Sequence, residues 1–188
     1  MQKYVITGGP GVGKTTLLEA LKYRGIPIGS EIARTVIKLE QRKEREIIGY
    51  QGTFPWNDLV RFQELVNPRQ IAMEEKLSIR YKLVVLDRGL LDCLAYVEEA
   101  ELELTMDINP LVRSADYKSI FVLDPLKNYV NDFVRKEDSV KAGRLHETLL
   151  GVYERYRFNV QTVPIFSNDP KESIDARVRM ILDSIEKH

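Results

Sequence analysis

The sequence predicts an α/β domain built around a parallel sheet, and three observations lead there. Short apolar runs alternate with amphipathic stretches along all 188 residues, the order that right-handed crossovers fold into parallel strands. The runs KYVIT, KLVVLD and KSIFVLD are apolar nearly throughout, as strands buried on both faces are. A glycine-rich turn, GGPGVGKT, joins the first run to the first amphipathic stretch.

In chain order, KYVIT is the first strand, and Lys14 to Tyr23 is a helix with Leu17, Leu18 and Leu21 on one face. Arg24-Gly25 ends it, and IPIG is a second short strand. Ser30 is the expected cap of the next helix, with Glu31 in its first turn and an end near Arg45. The loop GYQGTFPW follows, and Asn57 caps a helix carrying Leu59, Phe62 and Leu65. Asn67-Pro68 predicts a kink or a new helix start. KLVVLD is the clearest buried strand, followed by a helix from about Leu90 to Ala100. After KSIFVLD the chain turns polar and charged, PLKNYVNDFVRKEDSVKAGR. A helix then runs from about Val140 to Arg157 with Leu145, Leu149, Val152 and Tyr156 aligned. FNVQTVPI is the fifth strand and DPKESIDARVRMILDSIEK the last helix.

Composition narrows the function. Lys plus Arg is 28 and Asp plus Glu is 28, so the net charge of zero gives no electrostatic case for nucleic acid or an anionic membrane. No apolar stretch approaches the ~20 residues of a membrane helix. The N-terminus lacks a signal-peptide layout, and the single cysteine, Cys93, forms no internal disulfide, so a cytoplasmic protein is expected. No repeat or linker breaks the chain, which reads as one domain over 1–188.

Gly8, four residues, then Gly13-Lys14-Thr15 matches the phosphate-binding P-loop pattern, with the strand before it and the helix after it that the pattern requires. Glycines let the backbone curl so that successive N–H groups point at one anion, and the helix start adds its positive end. Lys14 can reach the β- and γ-phosphates, and Thr15 can offer its hydroxyl to Mg²⁺. The nucleotide residues are therefore Gly9, Gly11, Val12, Gly13, Lys14, Thr15 and Thr16, and the expected cofactors are ATP and Mg²⁺.

What becomes of the γ-phosphate is read elsewhere. Neither an Asn-Lys-x-Asp guanine reader nor an Asp-x-x-Gly switch motif is present. KLVVLD ends in Asp87-Arg88-Gly89 rather than Asp-Glu. Asp87, at the C-terminal end of a buried strand, can hold Mg²⁺ through water, accept a hydroxyl proton, or cap the next helix. Arg88 can grip an anionic substrate or make an ion pair. Asp92 falls in a helix's first turn, where it favours the dipole. Glu31 and Arg34 share a helix face and can read a substrate hydroxyl and anion, or pair with each other. Arg61, Gln63 and Arg69 are weaker substrate candidates. Tyr50, Phe54 and Trp56 either wall an acceptor site or anchor their loop. His146 and Cys93 read as structural.

The stretches ITGGPGVGKTTLLEAL, EIAR, LDRGLLDCLAY and RLHETLLGVYERYRF followed by TVP resemble the AAA_28-type P-loop family over nearly the whole chain. That resemblance implies a three-layer sandwich with a five-stranded parallel sheet in order 2-3-1-4-5. It also implies an activity similar to that of nucleotide kinases and ribosylnicotinamide kinases. By the same likeness Asp87 is base or Mg²⁺ organiser and Arg88 contacts the acceptor or its phosphate. A small basic lid is expected over about 125–144, with Arg135, Lys136, Lys141 and Arg144, and Arg135 is the first choice for the transferring phosphate. The expectation is an ATP-dependent small-molecule kinase, monomeric or homodimeric. Lys14, Asp87 and Arg135 are its catalytic residues; Glu31, Arg34, Arg88 and Arg69 bind a small, anionic acceptor. Nucleosides, nucleotides and phosphorylated alcohols such as a mevalonate phosphate qualify. The alternative is a nucleotide-dependent regulatory ATPase or GTPase with no acceptor.

Overall fold

The computed structural model describes the backbone of residues 1–125 and 133–187, and their side chains apart from those of 133–141. Five strands, β1 (Gln2–Thr7), β2 (Ile28–Gly29), β3 (Leu83–Asp87), β4 (Ser119–Leu123) and β5 (Val160–Val163), pair in parallel in the order β2-β3-β1-β4-β5. β1 is central: Val5 lies opposite Leu86 of β3 and Ile120 of β4. This is the expected 2-3-1-4-5 order.

Side chains alternate across the sheet, and each face has its own core. Val5, Val84, Leu86, Ile120 and Val122 meet one helical layer, formed by α3 (Leu59–Arg80), α4 (Asp92–Glu99), α5 (Asn109–Ser114) and α6 (Phe133–Arg155). Tyr4, Ile6, Val85, Phe121 and Leu123 meet the other, formed by α1 (Lys14–Tyr23) and α7 (Pro170–Glu186). These strand residues are wholly buried, and each large one contributes about 1.5–3 kcal/mol of transfer free energy. A smaller cluster of Ile32, Val36, Phe62 and Val66 docks α2 (Ile32–Glu46) on α3. Two layers of helix on a parallel sheet make the expected three-layer sandwich. No helix among the described residues is long and apolar enough to cross a membrane.

Several element ends differ from the sequence reading. Ser30 does not cap α2: Glu31 stands at that position, makes no capping bond, and spends its carboxylate on arginines. Asp58, not Asn57, caps α3 by accepting from the Arg61 N–H, because Asn57 is engaged in its own loop with Phe54 N–H and Gly52 C=O. Pro68 does not break α3, which runs on to Arg80. The ring sits on the exposed face, and the Arg69 guanidinium donates to the Leu65 carbonyl at 2.7 Å, beside the carbonyl that Pro68 leaves without its helical donor. α4 begins at Asp92 and α6 spans Phe133–Arg155, seven residues earlier at its start than Val140. α5 was not anticipated; Pro110 sits near its start, as prolines favour. Of the expected lid, residues 126–132 lie outside the described residues, as do the side chains of Arg135, Lys136 and Lys141, and the backbone from Phe133 onward belongs to α6. Arg144 is described, exposed and 3.6 Å from Glu99.

Candidate active site

The loop between β1 and α1 is shaped by its glycines. Gly13 stands at the N-cap of α1 with φ 87°, a left-handed conformation, and supplies no side-chain cap, so the helix start presents free N–H groups. Gly8 has φ 142°, and a Cβ there would lie 3.1 Å from both the Leu123 carbonyl and Val12 Cγ2. Lys14 bends back over the loop, its Nζ donating to the Gly8 and Gly9 carbonyls at 2.8 and 2.9 Å. Thr15 and Thr16 are exposed in the first turn of α1. Val12 is buried, and its carbonyl accepts from the Arg177 guanidinium at 2.8 Å. Arg177, itself buried, also donates to the carbonyls of Pro164 and Asp124, tying this loop to the C-terminal ends of β4 and β5. A cavity of about 450 Å³ opens here, walled by Val12, Gly13, Thr16, Ile174 and Arg177, with the segment after β5 on its far side. It has the place and size for a nucleoside beside a phosphate loop.

The C-terminal end of β3 delivers the charged groups. Burial and the nearby Glu31 charge push the Asp87 carboxyl up to about 6, and its Oδ1 is buried without a hydrogen-bond partner among the described residues. Burial and the Arg88 charge bring Lys14 down to about 8, against the pull of Asp87, Asp92 and Glu31. Arg88 adopts φ 75°, a strained conformation for a residue with a side chain. Its Nε donates to Glu31 Oε1 at 2.9 Å, and its Nη1 to the Gly8 carbonyl and Asp92 Oδ2, both at 3.3 Å. The guanidinium stacks 5.1 Å from the Tyr96 ring centre. Burial acts to lower Glu31's affinity for its charged form, but Arg88 outweighs it and holds the carboxyl below the usual range.

Asp92 is the hub beneath this group. It accepts from Thr7 Oγ1 at 2.5 Å, the Tyr153 hydroxyl at 2.7 Å, the Gly89 N–H at 3.2 Å and Arg88. One buried carboxylate thus binds β1, α4, α6 and the β3–α4 turn. A Cβ on Gly89 would collide with the Tyr153 hydroxyl, so that position takes glycine.

A second cavity, of about 200 Å³, opens between α2, α3 and α4 and is tied to the β1–α1 loop through Arg88, which lines it and donates to the Gly8 carbonyl. Its polar lining is Glu31, Gln63, Asn67, Arg88, Asp92 and Tyr96, and Phe62, Leu59 and Ile37 supply apolar wall. Gln70 fixes one edge, donating to the Arg88 carbonyl at 3.2 Å and to Glu74 at 3.0 Å.

The sequence matches a family model, AAA_28, described as an AAA domain, over residues 3–172. The chain belongs to this AAA_28 family. No curated protein sequence matches it. Solved structures similar to this AAA_28 chain include a thymidylate kinase from Ehrlichia chaffeensis, at 14% identity and TM-score 0.61, with 98% of each chain covered. A deoxyadenosine kinase from M. mycoides with bound dATP aligns at 12% identity and TM-score 0.58, over 98% of this chain and 100% of that one. A NadR protein in complex with NR aligns at 17% identity and TM-score 0.65, over 100% of this chain and 50% of that one. This chain therefore spans half the length of the NadR chain. At such identities the likeness establishes the fold of P-loop kinases for this AAA_28 domain.

Within the AAA_28 domain the predicted residues divide. Gly9, Gly11, Val12, Gly13, Lys14, Thr15 and Thr16 lie together in the β1–α1 loop and the first turn of α1, and Asp87, Arg88 and Glu31 gather beside them. Arg34 is 67% exposed and pairs with Glu31 at 3.1 Å, the local ion pair among its two readings. Arg69 lies on the exposed side of α3, outside the second cavity, and serves its own helix. Phe54 is buried and stacks on Trp56, and Tyr50 bonds Glu40, so these aromatics anchor their loop. Cys93 is buried with its thiol pushed up to about 12, and His146 is buried 3.6 Å from Asp124. The sequence reading missed Arg177, Tyr153, Tyr96 and the depth of Asp92. One signal was available: Gln63, Asn67, Gln70 and Glu74 repeat at spacings of four, three and four, a polar stripe on the buried face of α3.

For Mg²⁺ the residues fit. Among the described residues no three His, Cys, Asp or Glu side chains form a closed metal cage. Mg²⁺ is commonly held by one or two protein oxygens with phosphates and waters, and the partnerless Asp87 Oδ1 beside a phosphate loop is such an oxygen.

Proposed function

We propose that this protein is an ATP-dependent kinase that phosphorylates a hydroxyl of a small molecule held between α2, α3 and α4. The observation that carries the reading is a pair of cavities, one lined by Val12, Gly13 and Thr16 of the phosphate loop and the other by Glu31 and by Arg88, whose Nη1 donates to the Gly8 carbonyl, with Asp87 outside both linings. A regulatory nucleotide switch has no use for the second cavity. Small molecules are the proposed partners, rather than nucleic acid or membrane.

The chain's residues divide the chemistry. The N–H groups of the loop and the Lys14 ammonium hold the β- and γ-phosphates, and Thr15 and Asp87 are the ligands for Mg²⁺, which when bound neutralises phosphate charge. Glu31, kept ionised by Arg88, faces the acceptor and takes its hydroxyl proton. The acceptor oxygen forms a bond to the γ-phosphorus as the bond to the bridging oxygen breaks, and ADP leaves. Arg88 holds Glu31 in place and fixes one wall of the acceptor site. Asp92 is a positioning residue that holds Arg88 and Thr7.

The test is ADP release from ATP·Mg²⁺ with and without a panel of nucleosides, nucleotides and phosphorylated alcohols, a mevalonate phosphate among them. Stimulation by one acceptor is expected; slow release unmoved by every acceptor would favour the switch. With that acceptor, Glu31→Gln is expected to lower kcat about 100- to 10,000-fold, while the Kd for ATP, read by calorimetry, changes far less. Equal losses in both would remove Glu31 from the base role.

A further inference from the structure

We propose that the acceptor is an uncharged hydroxyl compound carrying a planar polar ring or amide, whose hydrogen-bonding edge is read by Gln63 and Asn67. This rests on the kinase reading and names the substrate class of its second cavity. It departs from the sequence expectation of an anionic acceptor, which relied on Arg34 and Arg88 being available.

The charge lining the cavity argues first. Among the described residues its only cation is Arg88, against two carboxylates, Glu31 and Asp92. Arg88 is 16% exposed and already committed: Nε to Glu31, Nη1 to Asp92 and the Gly8 carbonyl, and its face to Tyr96. Arg34 and Arg69 lie outside the cavity. A phosphate entering here meets two carboxylates and, among the described residues, no cation free of a carboxylate partner, and burying a charge without a partner is costly.

The amides argue second. Gln63 and Asn67 are 7% and 2% exposed, and both line the cavity. The Gln63 side chain makes no hydrogen bond among the described residues. Asn67 Nδ2 reaches Met106 Sδ at 3.5 Å and neighbours the Cys93 thiol, and sulfur is a weak acceptor. Neither amide is among the side-chain groups sealed from solvent without a partner, so the hydrogen-bonding capacity they leave free opens onto the cavity, where a ligand with both donors and acceptors can take it. They lie one helical turn apart on α3, on the same face as Phe62 and Val66, so the polar edge comes with an apolar wall for a ring. The volume of about 200 Å³ is below the ~300–1,000 Å³ usual for drug-sized ligands, which limits the acceptor to a small one.

The experiment measures ADP release from ATP·Mg²⁺ with matched pairs. Adenosine, guanosine, cytidine, uridine and thymidine are each set against their own 5′-monophosphate, with a mevalonate phosphate as the phosphorylated alcohol. Stimulation by at least about tenfold is expected from one nucleoside, since a site built for one hydrogen-bonding pattern rejects the wrong one strongly, and not from its monophosphate, whose charge meets Glu31 and Asp92. Preference for a monophosphate, or for a phosphorylated alcohol, overturns the uncharged acceptor and leaves the kinase reading standing. No stimulation by any compound overturns both. With the stimulating nucleoside, Gln63→Leu, its fold checked by thermal melting, is expected to raise KM about tenfold more than it lowers kcat. An unchanged KM removes Gln63 from recognition.

Discussion

Asp87 holds a proton more tightly in the folded chain than in the unfolded one, because burial and Glu31 disfavour its charge. Its folded value of about 6 stands above the ordinary 3.8. Between those pH values the folded state keeps a proton that the unfolded state has released. The stability tied to that proton is complete below about pH 4 and lost as the pH rises through 6. Asp87→Asn removes the ionisation. In the nucleotide-free protein the variant is expected to be more stable than the parent above pH 6, by on the order of 1–3 kcal/mol, with the gap closing toward pH 4. Urea unfolding at a series of pH values measures it; a gap independent of pH would mean that Asp87 is not held in a charge-averse site. Glu31 runs the other way, its charged form favoured by Arg88, so two neighbouring carboxylates are biased toward opposite protonation states.

The elements around the site are joined by buried polar side chains that no hydropathy pattern reveals. Arg177 lies on α7, yet its guanidinium serves three carbonyls, those of Val12, Asp124 and Pro164. Arg177→Met keeps the apolar stem and strands those carbonyls. It is expected to cost about 3 kcal/mol and lower the melting midpoint by roughly 6–12 °C, read by calorimetry. A loss under about 2 °C would show that the carbonyls find other donors. The same distinction marks what the letters carried. β1, β3 and β4 were legible because strands buried on both faces must be apolar throughout, and the phosphate loop because its glycines have no substitute. The caps were not, because Glu31 and Asn57 answer to distant or loop partners rather than to the nearest helix end. Of the kink or new helix expected at Pro68, no new helix starts there, because an exposed face and Arg69 let α3 continue. Asp92 reads as a helix-dipole residue in sequence, and only the packing of α6 brings Tyr153 to it.

Across the molecule, the carboxyl edge of the sheet concentrates charge that the rest of the core does not need. Lys14, Asp87, Arg88, Asp92 and Glu31 converge there, and Lys14 is held down to about 8 chiefly by burial. With Lys14 turned onto the Gly8 and Gly9 carbonyls and Asp87 Oδ1 lacking a partner, the nucleotide-free site is under-satisfied. In the proposed complex, triphosphate oxygens would give Lys14 and the free N–H groups of α1 their acceptors, and Mg²⁺ would give Asp87 a cation. Binding is therefore expected to stabilise the whole fold and not the loop alone, because Arg177 and Asp92 tie that loop to every layer. At ATP·Mg²⁺ 100 times its Kd, mass action gives about 2.7 kcal/mol. For a chain of this size that is a rise of roughly 5–11 °C in the melting midpoint. Lys14→Ala is expected to lose most of that rise while still melting cooperatively, together with at least about 100-fold of turnover. A Lys14→Ala protein whose midpoint still climbed with ATP·Mg²⁺ as the parent's does would take the triphosphate off this loop, and the kinase reading with it.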